Sequence, residues 1–178
     1  PDTVYPVTVD PTTGNIANSM DTPIHSKRTT SGASGDANCV GDSTALGHSR
    51  SLIKFNLPSE IKSGATINSA YFWTRELTAR TTTMYVGAHQ VNGSWNNNTV
   101  WSNQPSFNSK SMDRKNINSK STDGGPNGYW YKFNITSAVN AWTHGTANNG
   151  IILKSESEGS ATYYQRNFAQ MEYTTSGY

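Results

Sequence analysis

Short runs of alternating apolar and polar residues, each ended by turn formers, set the strongest limit on what this chain can fold into. SLIKFNL (51–57), NSAYFWTREL (68–77) and TMYVGAHQV (83–91) repeat the two-residue period of half-buried strands, and a shorter strand signal lies at Asn38–Val40. Further on, NNGIILK (148–154) joins a turn signal to a compact apolar strand, and the tail ATYYQRNFAQMEYTTSGY carries one or two more weakly patterned strands. Strands at this spacing suit a β-sandwich or jelly roll. No repeat of solenoid length interrupts them.

One segment departs from the two-residue period. In NITSAVNAWTHG (134–145), Ile135, Val139 and Trp142 recur at helical spacing behind a capping Asn134 or Thr136, and Gly145 supplies a left-handed end. A single short helix over about 136–144 is expected, lying on the sandwich as a lid. Ser26–Asp36 lacks periodicity and reads as a surface loop. At the start, Tyr5–Gly14 is bracketed by Pro6 and Pro11 and reads as a connector or edge strand. The chain therefore divides into a connector at 1–20 and one sandwich module at 21–178.

A chain of 178 residues is long enough to bury its own core as one domain. Its hydrophobic fraction is 33% and its charged fraction 15%, and Ser, Thr, Asn and Gly dominate the rest, as in extracellular all-β proteins. With 14 basic and 12 acidic residues, and no Lys or Arg stripe, nothing points to a nucleic-acid partner. No apolar segment approaches the roughly 20 residues of a membrane span. The opening on Pro1, without Met or a basic and apolar leader, suggests a fragment or processed product of a longer chain. The single cysteine, Cys39, reads as a small buried thiol.

Several segments then line up in order with one family. RSLIKFNLP (50–58), GATINSAYF (64–72), the SW and TVWSNQP pieces of Gly93–Pro105, FNITSAVNAW (133–142) and NNGIILKS (148–155) together resemble the DNRLRE-type domain, also classed as carbohydrate-binding module family 96. The resemblance implies an all-β, jelly-roll sandwich of a secreted or cell-surface bacterial protein. Such domains occur in polysaccharide lyases and in wall-associated proteins with tyrosine-aspartate repeats, and YPVTVDPT resembles the connector that precedes them there. The family's last strand normally follows a segment such as MEYTTSGY, so that strand is expected to be missing or replaced from elsewhere. The sequence TVW stands where T-V-T-W is commoner, a shortening that moves Trp101 to the opposite face of a regular strand.

Catalytic patterns are lacking. The carboxylates show no paired spacing, Glu156 and Glu158 read as a solvated turn, and the histidines at 25, 48, 89 and 144 form no zinc motif. The chain is expected not to be an enzyme and to need no cofactor beyond a structural calcium, for which Asp36, Asp42 and Asp123 in Gly-rich turns are candidates. A binding surface is easier to find. Alternation in 68–77 sends Ala70, Phe72 and Thr74 to one face and Tyr71, Trp73 and Arg75 to the other. In 83–91, Met84, Val86 and Ala88 separate from Tyr85 and His89 in the same way.

If those strands share a sheet, Tyr71, Trp73, Arg75, Tyr85 and His89 form an aromatic and basic platform, with rings to stack on sugars and a guanidinium to hold hydroxyls or a carboxylate. Trp142 and Trp130 read as core. Trp95 and Trp101 read as a packed sandwich corner. The expected function is a non-catalytic module, within a larger chain with neighbouring domains, that binds a neutral or anionic polysaccharide. The alternative is a structural or adhesive spacer of a toxin-bearing surface protein with no sugar ligand.

Overall fold

The computed structural model describes residues 18–32, 37–77, 80–119, 129–159 and 165–170. Nine strands and one helix follow in the order β1 (Asn18–His25), β2 (Asn38–Ser43), β3 (Gly47–Phe55), β4 (Tyr71–Glu76), β5 (Met84–Gln90), β6 (Asp113–Ile117), β7 (Tyr129–Asn134), α1 (Thr136–Thr143), β8 (Ile151–Ser155) and β9 (Gln165–Phe168). Every pairing is antiparallel, and the hydrogen-bonded path runs β6-β5-β8-β3-β2-β9-β4-β7 with β1 on β3. β3 bonds β2 through Gly47–Ser49 and β8 through Ser51–Ile53, so it carries the chain from one layer to the other. β6 and β7, the two ends of the path, approach each other, and the sheet closes into a barrel-like sandwich.

The interior is built by alternation. Phe72 and Thr74 of β4, Met84, Val86 and Ala88 of β5, Tyr131 and Phe133 of β7, Ile151 and Leu153 of β8 and Phe168 of β9 are all buried. Most join one apolar cluster that also takes Ala138, Val139 and Trp142 from α1. The helix therefore plugs the core instead of lying over an outer face. It starts where Asn134 Oδ1 accepts from Thr136 N–H at 3.0 Å, and it ends at Gly145 with φ 98°.

A second cluster sits on the outside of β1, β3 and β8, where Ile24, Leu52 and Ile152 are covered by Val91, Trp95, Trp101 and Phe107. Segment 91–108 is thus a folded-over cover, fixed by Trp95 Nε1–H donating to Asn149 O at 2.7 Å. Trp101 opens a single 3-10 turn, Trp101–Asn103, so the expected change of face along a regular strand does not arise. The turn forms because Asn103 Oδ1 captures Val100 N–H at 2.7 Å, a local bond that competes with strand pairing.

Three strands lie outside the strand signals read from the sequence: β1, which holds Pro23, the charged β6, and β7. Cys39 is buried, as expected. Of the connector expected at 1–20, residues 1–17 lie outside the described residues, as do Asp36, Asp123 and the segment after Gln170 that the missing last strand was expected to follow.

Candidate functional site

The outer face of β4 and β7 carries the most promising chemistry. Tyr71 and Trp73 are 45% and 40% exposed, although most of the other described large aromatics are buried. The strand turns them outward because Phe72 and Thr74 point into the core. Antiparallel register sets Tyr71 opposite Asn134, Trp73 opposite Lys132 and Arg75 opposite Trp130. The face is therefore two columns wide, Tyr71-Trp73-Arg75 beside Asn134-Lys132-Trp130. Lys132 Nζ stands 4.6 Å from the Tyr71 ring centre and 5.3 Å from that of Trp73, within cation–π range of both. Trp130 is half-buried on this outer face, which corrects its expected place in the core. The aromatics of YWYKF occupy both parities, so alternation alone could not tell which side faced inward.

Tyr85 and His89 do not join these residues directly. Four strands, β8, β3, β2 and β9, separate β5 from β4 along the hydrogen-bonded path, and the two are not neighbours. Tyr85 is 47% exposed, with the Arg114 guanidinium 5.1 Å from its ring centre. His89 shares its side of β5 but is 1% exposed. The segment at Phe107–Asn108 covers it, with Phe107 edge-on at 5.7 Å and Asn108 O 2.9 Å from Nδ1, while Glu156 Oε1 lies 3.3 Å from Nε2. Glu156 reaches this place because Gly87 has no side chain, and a Cβ there would collide with the carboxylate. His89 is thus held within the fold and does not reach the surface.

Asp42, the described calcium candidate, is buried with both oxygens engaged: Oδ1 meets His48 Nδ1 at 2.7 Å and Oδ2 accepts Gly159 N–H at 2.9 Å. Among the described residues no cluster of three or more His, Cys, Asp or Glu side chains could hold a metal ion. No helix among them is long and apolar enough to cross a membrane. Arg50 is committed to packing. It makes a two-point ion pair with Glu158 (2.8 and 2.6 Å), bonds Gln104 at 2.7 Å, and stacks 4.4 Å from the Trp101 ring centre, which ties the cover segment to the β8–β9 connection.

The described face is thus an exposed ring pair with a basic and amide border on two paired antiparallel strands. The sequence assigns it to a class: the profile of carbohydrate-binding module family 96 matches residues 12–174, and the chain belongs to that family. The family's members are carbohydrate-binding modules, which are typically non-catalytic. No curated protein matches the chain.

Proposed function

We propose that this module binds polysaccharide through the outer face of β4 and β7, with Tyr71 and Trp73 stacking on sugar rings and Lys132, Arg75 and Asn134 contacting their substituents. The observation that carries the reading is the exposed pair Tyr71 and Trp73 with one ammonium shared between them. Stacking exploits the apolar faces of pyranose rings, and the cations favour chains bearing carboxylate or sulfate groups. No acidic side chain appears among the six residues of the two columns. On this reading the module serves a larger secreted or cell-surface bacterial protein, holding its neighbouring domains on a glycan.

Native affinity gels containing polygalacturonate or hydroxyethylcellulose test the proposal. Retardation is expected in both or in the acidic gel alone, with the acidic polymer the stronger. Trp73→Ala is expected to weaken binding about thirtyfold, the range of an aromatic hot spot. Retardation by neither polymer, or a Trp73→Ala variant that runs as the parent does, overturns it. The first of those outcomes favours the spacer reading.

A further inference from the structure

Among the described residues Tyr85 is the third large exposed aromatic, and its setting gives it a role beside the other two. It stands across from Asn116 in the β5–β6 ladder, as Trp73 stands across from Lys132 in the β4–β7 ladder. β6 and β7 are the strands that meet where the sheet closes. Asn134 N–H donates to Asp113 Oδ2 at 2.8 Å near one end of this seam, and Asn118 N–H donates to the Tyr131 hydroxyl at 3.1 Å near the other. Asn116 and Lys132 fall between those two contacts. The seam therefore sets Tyr85, Asn116, Lys132 and Trp73 at a similar height on four successive strands, and each of the four side chains has the outward parity of its strand. A parallel row beside it holds Arg114, Asn134 and Tyr71, where Arg114 is opposite Gly87.

We infer that a single glycan chain crosses the strands around the β6–β7 seam, so that Tyr85 and Arg114 form a distal subsite of the surface on which Tyr71 and Trp73 lie. The inference rests on the proposed function and extends it to the path and length of the bound polymer. Three strand spacings separate Tyr85 from Trp73, on the order of 15 Å along the wall, a span that calls for a chain of several sugars. Arg114 over the Tyr85 ring reproduces, on the far side of the seam, the pairing of a cation with an aromatic face made by Lys132 with Tyr71 and Trp73. Asp113, the acidic residue at the seam, is neutralised by Lys115 at 3.0 Å, so it sets no bare negative charge in the path. Two weak contacts on one polymer reinforce each other, since the second forms at high effective concentration. A short oligomer gains nothing from the far contact.

The test uses whichever of the two polymers retards the parent protein, together with its oligomers graded upward from the disaccharide, in titrations of wild type, Tyr85→Ala, Arg114→Gln and Trp73→Ala. Tyr85→Ala is expected to lower affinity for the polymer about tenfold while leaving disaccharide affinity within about twofold. Arg114→Gln is expected to act in the same sense, and Trp73→Ala to weaken ligands of every length. Tyr85 and Arg114 are exposed, and a melting curve matching the parent shows that the variants fold. Wild-type affinity of both distal variants for polymer overturns the single-chain path even if Trp73→Ala abolishes binding. Cross-linking of polymer by the monomeric protein, seen as a rise in light scattering lost in Tyr85→Ala, also overturns it, because two faces then hold two chains. If Trp73→Ala changes nothing, the proposed platform fails first, and this path fails with it.

Discussion

At the residue scale the fold depends on one charged pair sealed inside the sandwich. Glu76 and Arg166 have no exposed side-chain surface and meet at 2.6 Å. Ser119 Oγ donates to Glu76 Oε2 at 3.0 Å and the Tyr131 hydroxyl does so at 3.3 Å, while Arg166 also donates to the Thr82 carbonyl. These bonds tie β4 and β9 to the segment after β6. Removing one partner leaves a buried charge unmatched, so Glu76→Gln is expected to cost about 3–5 kcal/mol in urea unfolding. Glu76→Leu combined with Arg166→Met should cost less than either single change, because no orphan charge remains.

Tyr131 in the same network gives a pH signature. Burial pushes its hydroxyl pKa above the ordinary 10.0, and the nearby Glu76 carboxylate adds to that, against the lowering effect of the Asn118 and Ser119 amides. The neutral phenol therefore stabilises the native state fully below the unfolded value. That contribution is lost as pH rises through the raised folded value. Unfolding curves taken above pH ~10 should show stability falling in the wild type and a weaker fall in Tyr131→Phe. A parallel decline in both proteins would count against Tyr131 as the source.

At the element scale, segment 91–108 is structural cover, and Trp95 is its anchor. Trp95 is buried against Leu52, Ile152 and Val91 and hydrogen-bonded to Asn149, so Trp95→Ala is expected to cost about 3–5 kcal/mol, read from the urea midpoint. The turn into β8 is equally constrained. Gly150 has φ 75°, and a Cβ there would drive into the Ile53 carbonyl of the neighbouring strand, so Gly150→Ala is expected to be among the most damaging single changes.

The sequence made some elements plain and hid others. β4 was legible because YFWTRE alternates cleanly, and the helix was legible because Ile135, Val139 and Trp142 keep a three-four spacing. β1 was hidden because Asp21–His25 is buried without alternation, in a strand that is polar and holds Pro23. β6 reads DRKNI because an end strand near solvent is blunted by charge. His89 looked like a surface residue since its parity is outward, yet the Phe107–Asn108 segment that covers it comes from another part of the chain. Local alternation carries no information about that cover.

At the scale of the whole molecule, the candidate binding face belongs to the rigid frame. Tyr71 and Trp73 stand on a strand hydrogen-bonded to β7 and anchored from below by Phe72 against Phe55 and Phe133, at ring-centre distances of 5.5 and 6.4 Å. Neither ring depends on a loop for its position, so sugar binding should require little reorganisation of the backbone. A ligand that binds only the native state then stabilises it by mass action, by about 2.7 kcal/mol at a hundredfold excess over Kd. For a domain of this size that corresponds to a rise in Tm of roughly 5–10 °C. Calorimetry with polygalacturonate should show this rise in the wild type, little or none in Trp73→Ala, and an intermediate one in Tyr85→Ala. The size of the shift should grow with oligomer length in the wild type and level off early in Tyr85→Ala. An equal rise in all three proteins would mean that the polymer stabilises the fold through charge alone, and that the rings of β4 and β5 take no part.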